Sequence, residues 1–234
     1  MRRAAIYGAI DRADRAAAET LARRMAEGVD GLKLGLEFFT ANGPREVEAL
    51  QTLGLPIFLD LKLHDIPNTV RGAVRAAAAL GVRYLTVHAA GGRAMLEAAA
   101  EAAAASPTPP KLLAITVLTS LDEADLGAQG IRRTTAEQVQ AMAELALASG
   151  IDGLVCSPLE IDRLRARFAQ RPVLAVPGIR PAGGTLGDQK RTLTPSAAQQ
   201  AGADVLVIGR PISDAADPAA AARTIAADLD RAAA

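Results

Sequence analysis

One short stretch concentrates the side chains capable of chemistry: PIFLDLKLHDIPNT, from Pro56 to Thr69, places Asp60, Lys62 and Asp65 within six residues. A parallel strand buried on both faces is expected to be a continuous apolar run, so charges here need a reason. Residues two apart on a strand share a face, which puts Asp60 and Lys62 together. At the carboxyl end of a barrel strand, that inward face is where a substrate is met. Asp11, after IYGAI, and Lys33, within DGLKLG, sit at the ends of two earlier apolar runs. The spacing predicts a ring of alternating charge at one rim.

Charges at a barrel mouth can be plain salt bridges, and for any single residue of the five that reading stands beside the functional one. Taken jointly it weakens, because several clustered, partly buried charges are hard to justify by stability alone. Asp60 and Asp65 could hold a divalent metal, but Lys33 and Lys62 interleave with them and supply the compensating charge, so no metal is expected. The sequence has no His/Cys ligand cluster, no nucleophile elbow and no GxGxxG after its first apolar run, and so lacks the parts for covalent hydrolysis or dinucleotide chemistry. The cation itself is then the working group. No cofactor is expected.

A second half-site lies near the end of the chain, where VLVIGRPIS follows a segment reading PGIRPAGG. Barrels frequently bind phosphate after their seventh and eighth strands. Backbone N–H groups around Gly209 and the side chains of Arg210, Arg180 and Gln189 could encircle a phosphate dianion.

Short apolar runs alternate from end to end with longer Ala/Leu/Arg/Glu stretches of helical period. The expected strands are Ala4–Ile10, Gly31–Gly35, Ile57–Leu61, Tyr84–His88, Leu112–Val117, Gly153–Cys156, Val173–Val176 and Val205–Ile208. Eight β/α units fit an α/β fold of the (β/α)8 TIM-barrel type, in one domain spanning 1–234, better than an open doubly wound sheet. Asp11 to Asp14, Gly43-Pro44 and Pro67-Asn68-Thr69 read as helix starts. Gly54, Gly81, Gly150 and Gly202 read as helix-closing residues. Two connections exceed an ordinary turn, Thr119–Thr134 and Pro177–Thr194, and both are lid candidates.

Composition narrows the partners. Lys plus Arg and Asp plus Glu number 26 each, so no basic excess is present to hold nucleic acid or an anionic membrane. Aromatics are 3% and Trp is absent, which argues against base-stacking platforms. The single Cys156, the lack of a long uncharged apolar run and an opening unlike a signal peptide point to a soluble, cytoplasmic protein.

The segment DLKLHDIPNTV resembles the signature of the orotidine 5'-phosphate decarboxylase family, type 1, around its Asp-x-Lys-x-x-Asp. The similarity continues in family order through AID, GLKLGLEFF, TVHAAGG, TVLTS, VPGIRP and GADVLVIGRPI. The first strand, IYGAID, departs from the plain aliphatic run usual there, and looser packing is expected around Gly8.

The resemblance implies cofactor-free, metal-free decarboxylation of orotidine 5'-monophosphate to UMP, the last step of de novo pyrimidine biosynthesis. It implies that Asp11 and Lys33 hold the ribose hydroxyls, with Lys33, Asp60, Lys62 and Asp65 forming the catalytic set. Asp60 and Lys62 would stand beside C6 and the departing carboxylate, with Lys62 the proton donor. Asp65, Ile66 and Thr69 would reach into a neighbouring subunit's site, which implies a homodimer with shared sites. Thr119 would address the pyrimidine edge, and Arg180, Gln189, Gly209 and Arg210 the phosphate. His88 reads equally as a structural histidine or a ligand contact. His64 reads as a supporting residue turned away from Lys62. Two rivals remain: a magnesium-dependent sugar-phosphate decarboxylase or aldolase of the same superfamily, which usually has an acidic residue at the Lys33 position, and a non-catalytic phosphate-ligand sensor, which would need no Lys62.

Overall fold

The computed structural model describes residues 2–181 and 192–233. Eight parallel strands close on themselves in sequence order: β1 (Ala5–Ile10), β2 (Gly31–Leu34), β3 (Ile57–Leu63), β4 (Tyr84–His88), β5 (Lys111–Ile115), β6 (Gly153–Val155), β7 (Val173–Val176) and β8 (Val205–Ile208). Around them run α1 (Arg15–Met25), α2 (Leu36–Gln51), α3 (Pro67–Ala79), α4 (Gly92–Ala104), α5 (Glu123–Ala128), α6 (Thr135–Ala148), α7 (Ile161–Phe168), α8 (Pro195–Ala201), α9 (Arg210–Ser213) and α10 (Pro218–Ala233). This is the (β/α)8 barrel that the alternating pattern predicts.

Local chemistry explains the element ends. Asp14 caps α1, its Oδ1 accepting from the Ala17 N–H at 2.8 Å, a bond worth about 1 kcal/mol at such a position. Pro67 opens α3, where its missing N–H costs nothing. The four expected helix-closing glycines all take positive φ, from 67° at Gly81 to 109° at Gly202. Gly43-Pro44 differs from expectation. The helix already begins at Leu36, and Gly43, with φ 72°, kinks it before Pro44 starts the second segment. The Thr119–Thr134 connection is not bare loop either, since it carries α5, closed at its start by reciprocal Asp122 and Asp125 bonds.

The core has two parts. One lies between sheet and helices, where Phe38, Leu59, Leu85 and Met95 are fully buried, each contributing roughly 1.5–3 kcal/mol of apolar burial. The other fills the barrel: Tyr7, Phe58 and Tyr84 meet edge to face with centroids 5.6–6.0 Å apart, packed by Leu113, Ala175 and Val205. Gly31 makes room for this plug, since a Cβ there would lie 2.4 Å from the Tyr7 ring. Burial drives the Tyr7 phenol well above its ordinary range, with Tyr84 adding to the effect. The looseness expected at Gly8 is absent. A Cβ on Gly8 would stand 2.4 Å from Met25 Sδ, so the fully buried Met25 already occupies that space.

Candidate active site at the carboxyl end of the barrel

Strand pairing breaks where the charges begin. Leu59 pairs with Leu85, yet the next paired residue of β3 is Leu63, opposite Val87, so three residues of β3 bulge against one of β4. Lys62, inside the bulge, has φ 51°, a left-handed conformation uncommon for a residue with a side chain. Asp60 and Lys62 do come together, as alternation predicts, but through this bulge rather than a regular pleat. Lys62 Nζ lies 2.7 Å from Asp60 Oδ2. The fully buried Thr86 of β4 spans the same place: its Oγ1 accepts from the Lys62 N–H at 2.8 Å and donates to Asp60 Oδ1 at 2.9 Å.

The second pair belongs to β2 and the end of β1. Lys33 is buried in the wall and its Nζ lies 2.9 Å from Asp11 Oδ1. Gly35 lets the backbone pass close by, because a Cβ there would approach Lys33 Nζ to 2.9 Å and Asp11 Oδ1 to 3.2 Å. A cavity of about 450 Å³ opens over this pair, lined by Asp11, Arg12, Lys33, Asp60, Arg180 and Arg210 among others. A smaller one of about 170 Å³ adjoins it, lined by Asp60, Lys62 and Thr119 together with Ile115, Val117 and Val155. One compartment is rimmed by arginines and the other is mostly apolar, with Asp60 common to both. A larger concavity of about 530 Å³ lies outside the barrel between α6 and α7, where Glu144 pairs with Arg167. It holds none of the strand-end charges.

Most of the expected site residues therefore converge. Gly209 lies between β8 and α9 at the larger cavity, beside Arg210. Arg180 lines the same cavity, its N–H donating to Leu193 O at 3.0 Å, so the two ends of the second long connection are tied together. Gln189 lies outside the described residues. Asp65, Ile66 and Thr69 are exposed beyond the end of β3 and line neither cavity. Asp65 Oδ1 instead accepts from the Ile66 N–H at 2.6 Å. His64 is exposed and stacks on His88, centroids 5.2 Å apart. His88 Nδ1 accepts from the Ala90 N–H at 3.2 Å, and burial, then His64 and Lys62, lower its pKa. Sequence reasoning missed Arg12, Gly35 and Thr86. A lone threonine inside the apolar YLTVH run was the available signal for the last.

A closed parallel barrel whose mouth holds two lysine–carboxylate pairs against an arginine-rimmed cavity defines a class, the (β/α)8 proteins that hold an anionic ligand against fixed charge. Among the described residues no group of three or more His, Cys, Asp or Glu side chains is placed to hold a metal ion. Comparison narrows the class further. The model of the "Orotidine 5'-phosphate decarboxylase / HUMPS family" matches residues 6–225, and the chain belongs to that family. An orotidine 5'-phosphate decarboxylase of Paramagnetospirillum magneticum is 52% identical over 96% of this chain and 97% of that protein. One from an Anaeromyxobacter species is 54% identical, again over 96% and 97%. The crystal structure of the orotidine 5'-phosphate decarboxylase from Lactobacillus acidophilus superposes with a TM-score of 0.86 at 37% identity, covering 98% of this chain and all of that one.

Proposed function

We propose that this protein is a carboxy-lyase that converts orotidine 5'-monophosphate to UMP in pyrimidine biosynthesis. The observation that carries the reading is the Lys62–Asp60 pair at the junction of an arginine-rimmed cavity and an apolar one, a division that suits a nucleotide's phosphate and its flat ring. The names of relatives more than half identical across nearly the whole chain support it. Lys33, in place of an acidic residue, favours it over the sugar-phosphate decarboxylases.

In this reading Arg180, Arg210, Gln189 and the Gly209 backbone take the phosphate, Asp11 and Lys33 the ribose hydroxyls, and Thr119 the pyrimidine edge. Loss of carbon dioxide from C6 leaves an electron pair in the ring plane, where the π system cannot delocalise it. The Lys62 ammonium stabilises that charge and then delivers its proton to C6. At 4 Å and an effective dielectric of 20 a unit charge contributes about 4 kcal/mol, whereas enzymes lower barriers by roughly 8–23 kcal/mol. The remainder comes from a preorganised site and from phosphate binding energy, with Asp60 close to the departing carboxylate.

The whole chain 1–234 acts as one barrel domain and as a homodimer in which Asp65, Ile66 and Thr69 complete the partner's site. Their exposure supports this, as do the exposed Leu36, Leu118 and Leu159, which with Ile66 follow four different strands on the same rim. Among the described residues no helix is long and apolar enough to cross a membrane, which suits a cytoplasmic enzyme. Mixing the protein with orotidine 5'-monophosphate and following the ultraviolet change tests the activity directly. No turnover by folded protein refutes it, and turnover of a sugar phosphate in its place favours the magnesium-dependent rival.

A further inference from the structure

We propose that Thr86 is a positioning residue for the decarboxylation, a clasp that fixes Asp60 and Lys62 relative to each other; the inference rests on the function proposed above. Three residues of β3, Asp60 to Lys62, bulge against the one residue of β4 lying between Leu85 and Val87, and that residue is Thr86. In a regular ladder the Lys62 N–H would bond to a strand carbonyl. Here it donates to Thr86 Oγ1 at 2.8 Å. The hydroxyl proton, directed away from that donor, goes to Asp60 Oδ1 at 2.9 Å. Asp60 Oδ2 is thereby left to receive the Lys62 ammonium at 2.7 Å.

A single buried hydroxyl thus serves both residues, and it satisfies a backbone N–H that the bulge removes from the ladder. It also holds a residue whose backbone sits at a φ of 51°, a conformation that persists only where neighbours over-determine it. Both the hydroxyl and the methyl of threonine contribute to this role. Serine keeps the hydroxyl but loses the methyl that fixes its rotamer, and valine keeps the shape but has neither donor nor acceptor. Because Thr86 is fully buried and lines neither cavity, it acts through Asp60 and Lys62 and not on the substrate itself.

The test compares Thr86→Val and Thr86→Ser with wild type in steady-state turnover of orotidine 5'-monophosphate, with amide hydrogen exchange at Lys62 as a readout independent of turnover. Thr86→Val is expected to lower kcat by about ten- to a hundredfold with KM changed less than about threefold, since transition-state charge placement is lost while phosphate and ribose contacts remain. Thr86→Ser should stay within about fivefold of wild type, and the Lys62 amide should exchange faster in Thr86→Val than in Thr86→Ser. A kcat for Thr86→Val within about twofold of wild type, or a serine variant as impaired as the valine one, overturns the proposal. If Thr86→Val does not fold, a double-mutant cycle of Thr86→Ala, which also lacks the hydroxyl, with Asp60→Asn decides the matter. Non-additive effects on kcat support the clasp and additive effects reject it. An inactive wild type would refute the assigned reaction, whereas unchanged Lys62 exchange in the valine variant would refute the clasp alone.

Discussion

Lys62 Nζ stands 2.7 Å from Asp60 Oδ2, and the residue carrying that ammonium has a left-handed backbone within a bulge of the third strand. The pair therefore owes its geometry to an irregularity of the sheet. Both side chains remain partly open to the cavities above, Lys62 at 31% and Asp60 at 15%, so the charge is fixed yet still within reach of a ligand.

Removing the ammonium should remove the reaction. Lys62→Ala is expected to fold normally, with the same thermal midpoint to within a few degrees, and to lose about three orders of magnitude or more in kcat, the ~4 kcal/mol of the charge alone. Steady-state assays beside circular dichroism check this. Substantial residual decarboxylation would show that another group protonates C6.

Chelation should leave turnover unchanged. Lys33 and Lys62 each already neutralise a carboxylate at the mouth, which leaves little demand for a divalent ion. Activity is expected to survive EDTA and dialysis. Loss that magnesium restores would favour the sugar-phosphate branch of the family.

Shared sites make a quantitative prediction. If Asp65 of one protomer completes its partner's site, mixing inactive Lys62→Ala with inactive Asp65→Ala should restore roughly a quarter of wild-type activity, because half the dimers are mixed and each has one intact site. Absence of recovery after proven subunit exchange would assign Asp65 to its own chain.

Crowding at the ribose end should be readable in binding. Gly35→Ala places a methyl 2.9 Å from Lys33 Nζ, which is the far end of a flexible side chain, so the fold accommodates it and the Lys33–Asp11 pair shifts. KM is expected to rise about tenfold, the equivalent of ~1.4 kcal/mol, with the midpoint of urea unfolding little changed. A collapse in stability with unaltered KM would instead make Gly35 a packing residue.

Acid should weaken the fold partly through His88. Burial first, then His64 and Lys62, hold its imidazole below the ordinary 6.5. In the window below that value the unfolded chain binds the proton and the folded chain resists it, so stability rises with pH there. The contribution is complete above the unfolded pKa and is lost as pH falls toward the folded one. The drop in Tm from about pH 7 to about pH 5 should be larger for wild type than for His88→Asn. Equal slopes in calorimetry would exclude His88 as the source.

Much of the barrel was legible because its signals are local. The run VLVI gave β8 its observed bounds, and Val173–Val176 likewise became β7. Edges shifted where packing competes with pattern. β5 runs from Lys111 to Ile115 rather than from Leu112 to Val117, and the helix read as starting at Gly43-Pro44 begins at Leu36, directly after Gly35. Arg12 carries no such local signal, because its place at the cavity depends on how the chain turns after β1, which no periodicity records.

The sequence alone determined the alternation of strands and helices, the rim to which the charges belong, and the shared face of Asp60 and Lys62, because side-chain period and residue type are properties of neighbouring positions. Only the tertiary structure decided that three residues of β3 face one of β4 and that a threonine hydroxyl 24 and 26 positions away holds both Lys62 and Asp60. Register between separate segments is set by the closing of the whole sheet, so a bulge becomes visible only when the strand beside it is in place.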